Sequence, residues 1–260
     1  MAVKYSIQGL LIYAAMAAYL FAFLTHLSRL RKTANLFFIA GFVFSSGSFI
    51  YRWLHVGHIP LQNLFELFIT MSVCVYILSY LTEKLLGINQ RAIDMLIGAA
   101  ILFPAGFIFS ESIQQLPPAL QSPFFIPHVG AYALGYIFMF KAAAAAIQTI
   151  GANRQNSILS EQNTYRLIRT GFPFMAAGLM LGSVWAHFVW SDFWGWDPKE
   201  MWSLATFLIY VGYFHFRFMF RQKYPRLNSL WALGGCSALM ITILWVNFSR
   251  LFAGLHSYAI

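Results

Sequence analysis

The sequence predicts an all-α integral membrane protein of eight transmembrane helices with both termini on the outer side, organised as a single polytopic domain over residues 1–260. Three observations lead there. Hydrophobic residues make up 60% of the chain and charged residues 10%, whereas about a quarter of a soluble domain is charged. Apolar runs of about twenty residues, the length that spans ~30 Å of hydrocarbon, recur along the whole chain. The basic residues fall mainly between alternate runs. A formal net charge of +9 would suggest nucleic acid in a soluble protein. In a membrane protein it records orientation, because basic loops stay cytoplasmic.

The runs cover 6–26, 34–53, 64–82, 92–109, 125–150, 171–190, 200–219 and 228–249. The first follows a single lysine and is too long for a signal-peptide core, so it counts as a span. The connections after the first, third, fifth and seventh runs hold Arg29, Arg31, Lys32, Lys84, Arg91, Arg154, Arg166, Arg169, Arg217, Arg221, Lys223 and Arg226. Only Lys4, Arg52, Lys199 and Arg250 lie on the opposite side, which makes that side the outer one. Lys141, inside the fifth run, is expected to snorkel inward. Cys74 and Cys236 sit in apolar runs as small hydrophobes. The absence of CxxC and CxxCH argues against a dithiol reductase and against covalent c-type heme on this chain. The letters show no internal repeat.

Sorted by this topology, five of the seven histidines lie outside: His55 and His58 in YRWLHVGHIPLQN, His128 in FFIPHVG, His187 near the end of the sixth run, and His256 in GLHSYAI. His26 ends the first run on the inner side. One outer histidine is ordinarily an interfacial polar residue, but several together can ligate a metal or heme iron. Zinc competes with heme, with Glu111, Asp192, Asp197 and Glu200 as carboxylates on the same side. His215 lies deep in the seventh run, where an ionisable residue is costly. It is expected to face the bundle interior as a ligand, the alternative being snorkelling toward Arg217. Asn63 and Glu66, at the start of the third run, read equally well as interfacial solvation.

The stretch VWSDFWGWDPKEMW is the most distinctive in the chain. Its DPKE segment has the grammar of a helix start, with Asp197 as N-cap, Pro198 at the first helical position and Glu200 reaching back in a capping box. Trp185, Trp190, Trp194, Trp196 and Trp202 could form an interfacial aromatic belt. However, Trp194 and Trp196 flank Gly195 in a short loop and cannot both line one helix stripe. A flat, π-rich partner such as a porphyrin suits that surface, with Arg52, Lys199 and Arg250 as cations for its propionates.

The quoted loop resembles the tryptophan-rich "WWD" loop of the CcsA (ResC-type) cytochrome c biogenesis family, the heme-handling membrane subunits of system II cytochrome c synthases. GHIPLQNLFE at 57–66, LPPALQSPFFIPHV at 116–129 and GLHSY at 254–258 are similar to that family in the same order. The resemblance implies that His128 and His256 ligate heme iron beneath a WWD loop at about 185–202, between the sixth and seventh helices. His215 would help bind heme on its way outward, with the second inner ligand from a CcsB/ResB-type partner. The cofactor-facing set is then His58, His128, His215, His256, Trp185, Trp190, Trp194, Trp196, Asp197 and Trp202, and the ligand is heme b, handled as substrate. The implied activity is heme export and attachment to the CxxCH cysteines of apocytochrome c, as a heme lyase subunit in a bacterial inner membrane or, less favoured, a thylakoid. Membrane lipid and apocytochrome c are the other partners, and nucleic acid is not. Two features depart from the family pattern: Ser191 stands where a glycine is common, and His187 and Phe188 hold places usually filled by other residues. Two rival readings are a b-type cytochrome subunit for quinol-linked electron transfer and a transporter of another anion. The first would want histidine pairs inside helices at matching depth, and only His215 lies mid-helix.

Overall fold

A computed structural model describes residues 3–220 and 223–246 of the chain. Among these residues the secondary structure is helical: α1 (Ile7–Leu27), α2 (Arg31–Val56), α3 (Leu64–Leu86), α4 (Arg91–Phe107), α5 (Phe125–Gly151), α6 (Arg154–Trp190), α7 (Pro198–Phe220) and α8 (Pro225–Met240). A 3-10 turn at Pro118–Leu120 precedes α5, and α8 runs on into one π turn, Ile241–Trp245. Seven of these helices are long and apolar enough to cross a membrane, α8 being counted with its π turn. The eighth expected span, α4, has 17 residues and an internal Pro104. At 1.5 Å per residue it reaches about 25 Å, short of the ~30 Å core.

The largest departure from the expected boundaries is α6, which starts at Arg154 rather than near 171 and is 37 residues long. Asn153 caps it, its side chain accepting from the Asn156 N–H at 3.0 Å. The first half, RQNSILSEQNTYRLIRT, is too polar to register as an apolar run, yet Ser157, Glu161, Thr164 and Ile168 are all buried. Their spacing of four, three and four residues places them on one helical face.

The described residues from 3 to 120 form one compact unit. Within it α1 packs along α2 and α4, and α3 packs against α4 and α2. Tyr19 of α1 is fully buried at the centre. Its hydroxyl donates to the Ser72 carbonyl at 3.2 Å, and its ring rests on Gly41 and Gly98, where an added Cβ would come within 2.5 Å and 2.9 Å of it.

At one end of this unit, Asn63 caps α3 by accepting from the Glu66 N–H at 3.0 Å. Glu66 is 0% exposed and pairs with Arg52 Nε at 2.9 Å. The other Arg52 nitrogens donate to the carbonyls of Glu111 (2.7 Å) and Ser112 (3.2 Å), and the guanidinium lies over the Phe65 ring. Two expectations are corrected here. Asn63 and Glu66 are a buried cap and ion pair rather than solvated interfacial residues, and Arg52 is committed to Glu66 and the 111–112 backbone rather than reserved for an anionic ligand.

The described residues from 121 to 246 form the second unit. Its main seam is α5 against α6. Along α6, Gly171, Met175, Gly178, Gly182 and Trp185 continue the four-three spacing begun at Ser157. Opposite them stand Phe138, Gly135, Tyr132 and His128 in antiparallel order. Ser157 Oγ donates to the Thr149 carbonyl at 2.8 Å near the far end of the seam. α8 packs on α5, α6 and α7. α7 is the least covered span, with 17% of its apolar window buried. Lys141 of α5 is 1% exposed, so it is enclosed within the helices rather than snorkelling to the surface.

Removing Arg52 leaves a fully buried carboxylate without its cation. Arg52→Ala is expected to destabilise the protein by about 3–5 kcal/mol, read as a lower midpoint in thermal unfolding of the detergent-purified chain. Arg52→Met combined with Glu66→Leu should recover most of the loss.

Candidate functional site

The site grows from the seam. His128 sits in the first turns of α5, opposite Gly182 of α6. A Cβ at Gly182 would lie 2.5 Å from His128 Cε1 and 2.7 Å from Nδ1, so the imidazole occupies the space that glycine leaves. One turn earlier on α6, the Gly178 carbonyl lies 2.7 Å from His128 Nδ1. A carbonyl can only accept, so Nδ1 carries the proton and, in the neutral ring, Nε2 carries the lone pair. A ligating histidine needs this arrangement, one nitrogen fixed by a backbone acceptor and the other basic.

Trp185, 1% exposed, lies parallel to the His128 ring with centroids 5.9 Å apart, and Tyr132 meets the same ring edge-on at 5.2 Å. Trp190 packs edge-to-face on Trp185 at 4.8 Å. Trp185 therefore backs the imidazole, and the open tryptophans are those of the following loop.

That loop begins where Ser191 closes α6 in the left-handed conformation, φ +62°, which a glycine adopts without strain. Ser183 Oγ donates to the Phe193 carbonyl at 2.9 Å, and His187 stacks face-to-face on Phe193 at 4.1 Å. His187 is thus engaged in holding the loop against α6. Glu200 accepts from the Gly195 N–H (2.8 Å) and the Asp197 N–H (3.2 Å), while Asp197 Oδ1 accepts from the Lys199 N–H (2.8 Å). The capping box expected from DPKE is present and reaches two residues further back than the pattern requires.

Between the two amides held by Glu200 is Trp196, with φ +55°, an uncommon conformation for a bulky residue. Its side chain is 67% exposed and meets Trp194 edge-on at 6.2 Å. Trp194 Nε1 is buried and has no acceptor among the described residues. An unmet buried N–H costs about 1–3 kcal/mol, so this donor is under-satisfied by the described residues alone. Trp202 lies half-open in the first turns of α7.

The other expected residues are placed as follows. His58 belongs to the first unit, where Nδ1 meets the Ile59 carbonyl at 3.0 Å and Nε2 is buried without a partner among the described residues. His215 is exposed on α7, its Nδ1 2.8 Å from the Val211 carbonyl. The expectation that it faces the bundle interior is corrected, because the inward face of α7 carries Tyr210, Tyr213 and Arg217. His256 and Arg250 lie outside the described residues. Among the described residues no three His, Cys, Asp or Glu side chains converge as a metal site.

The signal that sequence reading passed over is GLMLG, residues 178–182. This small-xxx-small spacing lets transmembrane helices approach closely, and here it seats His128.

These features define a polytopic membrane protein with a histidine and a tryptophan-rich loop at one helix end. The family profile for Cytochrome C assembly protein matches residues 61–254. The chain is 30% identical to the cytochrome c biogenesis protein CcsA of Nicotiana tomentosiformis, over 85% of this chain and 83% of that protein. It is 28% identical to CcsA of Arabidopsis thaliana over 82% of each chain. With CcsA of Chlamydomonas reinhardtii the identity is 29%, over 80% of this chain and 63% of that one. The chain belongs to the cytochrome c assembly protein family, a membrane family of cytochrome c maturation.

Gly182→Ala probes the seat with the smallest possible change. Alanine improves helix propensity by up to about 1 kcal/mol, so abundance in membranes should hold. Displacement of His128 should nevertheless lower the yield of mature c-type cytochrome roughly tenfold, the scale of losses around metal ligands. Quantitative heme staining of a reporter cytochrome checks it.

Proposed function

We propose that the protein is the membrane subunit of a cytochrome c synthase, which receives heme b as substrate, carries it outward and presents it for attachment to apocytochrome c. The observation that carries this reading is the His128 seat, where Nδ1 donates to a backbone carbonyl so that Nε2 is the unprotonated nitrogen of the neutral ring, together with the buried Trp194 N–H of the adjoining loop, which has no acceptor among the described residues. His128 and His256 would be the axial ligands on the outer side. Trp194 would donate to a propionate, and Trp190, Trp196, Asp197 and Trp202 would shape the loop over the ring. Trp185 would hold the His128 imidazole in place, and His58 would belong to the same outer face. His215 would be the inner ligand, completed by a CcsB/ResB-type partner.

The family implies heme as the substrate, and it supplies an iron to ligate and two vinyl groups that can alkylate cysteine thiols. The chain's own work is positional. It holds the ring at a fixed depth and orientation, shields its faces with indoles, and leaves the vinyl edge open to a CxxCH peptide. Each cysteine sulfur then bonds one vinyl carbon while the thiol proton goes to the other, so the addition consumes no oxidant or reductant. Raised effective concentration is the catalytic effect, and no nucleophile or general base is assigned on this chain.

We read the whole chain as one polytopic domain with eight crossings, α4 included, and both termini outside. Twelve basic residues on one side against four on the other support that orientation. The bacterial inner membrane favoured on sequence grounds gains no support from the relatives above, which come from plants and an alga. A thylakoid location stands beside it.

Purified His128→Ala and His256→Ala variants should each lose the bis-histidine absorption spectrum of the outer heme. Retention of that spectrum in both would show the ligand assignment to be wrong.

A further inference from the structure

Glu161 lies in the polar first half of α6, 0% exposed, on the same face that seats His128 at the other end of the helix. Its carboxylate is the meeting point of three helices. Arg217 of α7 donates from Nε at 2.7 Å and from Nη2 at 3.3 Å. Asn228 of α8 donates to the same Oε1 that accepts from Arg217 Nε, and the Tyr213 hydroxyl of α7 lies 3.5 Å from it. Arg217 is further fixed by lying 3.7 Å over the Tyr165 ring of α6. Burying a charge is costly unless it is paired and hydrogen-bonded. Here both demands are met by side chains that also decide how α7 is rotated.

The rotation matters because of what lies on the opposite face. Successive residues of a helix are 100° apart, so His215, two positions before Arg217, points about 160° away from it. Tyr210, Tyr213 and Arg217 face inward, whereas Met201, Leu208 and His215, at seven-residue intervals, are exposed. α7 is also the least covered span, so packing along its length constrains its rotation weakly. The ion pair is the strongest directional contact on its inner half.

We propose that Glu161 is a positioning residue for His215, acting through Arg217. The carboxylate pins one face of α7 and thereby presents the His215 imidazole outward from the helix bundle. His215 Nδ1 is committed to the Val211 carbonyl, which leaves Nε2 basic and directed away from its own backbone. The clamp rests on the reading of His215 as the inner heme ligand. It adds to that reading the cause of the histidine's orientation, and it gives a buried carboxylate a task other than proton transfer.

The test uses the full chain produced with its CcsB/ResB-type partner. In a His128→Ala background the remaining heme absorption reports the inner site alone. Glu161→Gln removes the charge while preserving volume, and inner heme content should fall about tenfold. Glu161→Asp, which keeps the charge, should recover part of it. With His128 intact, Glu161→Gln should lower the outer heme along with the inner, because heme reaches the outer site through the inner one, while the amount of chain in the membrane and its thermal unfolding midpoint hold, a result that mere misfolding would not give. Unchanged inner heme in Glu161→Gln overturns the proposal, and so does loss of the chain or of its unfolding midpoint, which would make Glu161 a folding residue. His215→Ala is the control. If it retains the inner heme, the ligand reading itself has failed, and the proposal falls on that separate ground.

Discussion

Close approach of α5 and α6 is the constraint on which the second unit depends. Between helices in lipid there is no hydrophobic gain to be had, because the tails are as apolar as the side chains they would replace. Association must come from dispersion and hydrogen bonding at short range. α6 meets this with glycines at 171, 178 and 182, each facing a large side chain of α5. At Met175 the roles reverse, and the glycine, Gly135, is on α5. The antiparallel register set by these four pairs puts His128 over Gly182 and no other residue. A slip of one turn would set Tyr132 against Phe174, or Phe138 against Met175, in place of glycine.

The same helix carries two polar devices at opposite ends. Gly182 and Glu161 are separated by 21 residues, or about 32 Å, close to the thickness of the hydrocarbon core. At one end α6 offers a carbonyl and an empty Cβ position to a histidine. At the other it offers a carboxylate to an arginine whose helix carries a second histidine. The first unit uses a related solution in Arg52 and Glu66, where a buried ion pair and two backbone carbonyls tie the start of α3 to the 111–112 segment. In each case the charge is fully engaged by partners, as a buried charge requires, and fixes geometry in return.

Much of this architecture was legible in the letters. Each of the eight apolar runs coincides with a helix over most of its described residues, and the DPKE cap is present because a capping box is a local device that needs only residues 197 to 200. What was missed depends on partners distant in sequence. The polar half of α6 is buried by Thr149, Arg217 and Asn228, none of which a window of twenty residues can see. The facing of His215 could not be read from α7 alone, since periodicity identifies a face without saying what covers it. Arg52 looked available because its carboxylate lies 14 residues away, across a turn. The alternating four-three spacing along α6 was present in the sequence, but Ser, Glu, Thr and Gly do not register as an apolar stripe.

The tryptophan loop acquires its form from the same economy of local contacts. Glu200 grips the amides on either side of Trp196, and that grip holds a bulky residue at φ +55° with its indole exposed. Such backbone strain costs on the order of 1–3 kcal/mol and persists where the surroundings over-determine it. Trp194 next to it has the complementary character, its N–H buried and lacking an acceptor among the described residues. A purely interfacial belt would require neither feature, since its indoles satisfy their N–H groups at the headgroups. Strain beside an unmet donor, next to a histidine whose Nδ1 is held by the Gly178 carbonyl, supports the proposed role of this loop as the cover of a flat, acid-bearing ligand.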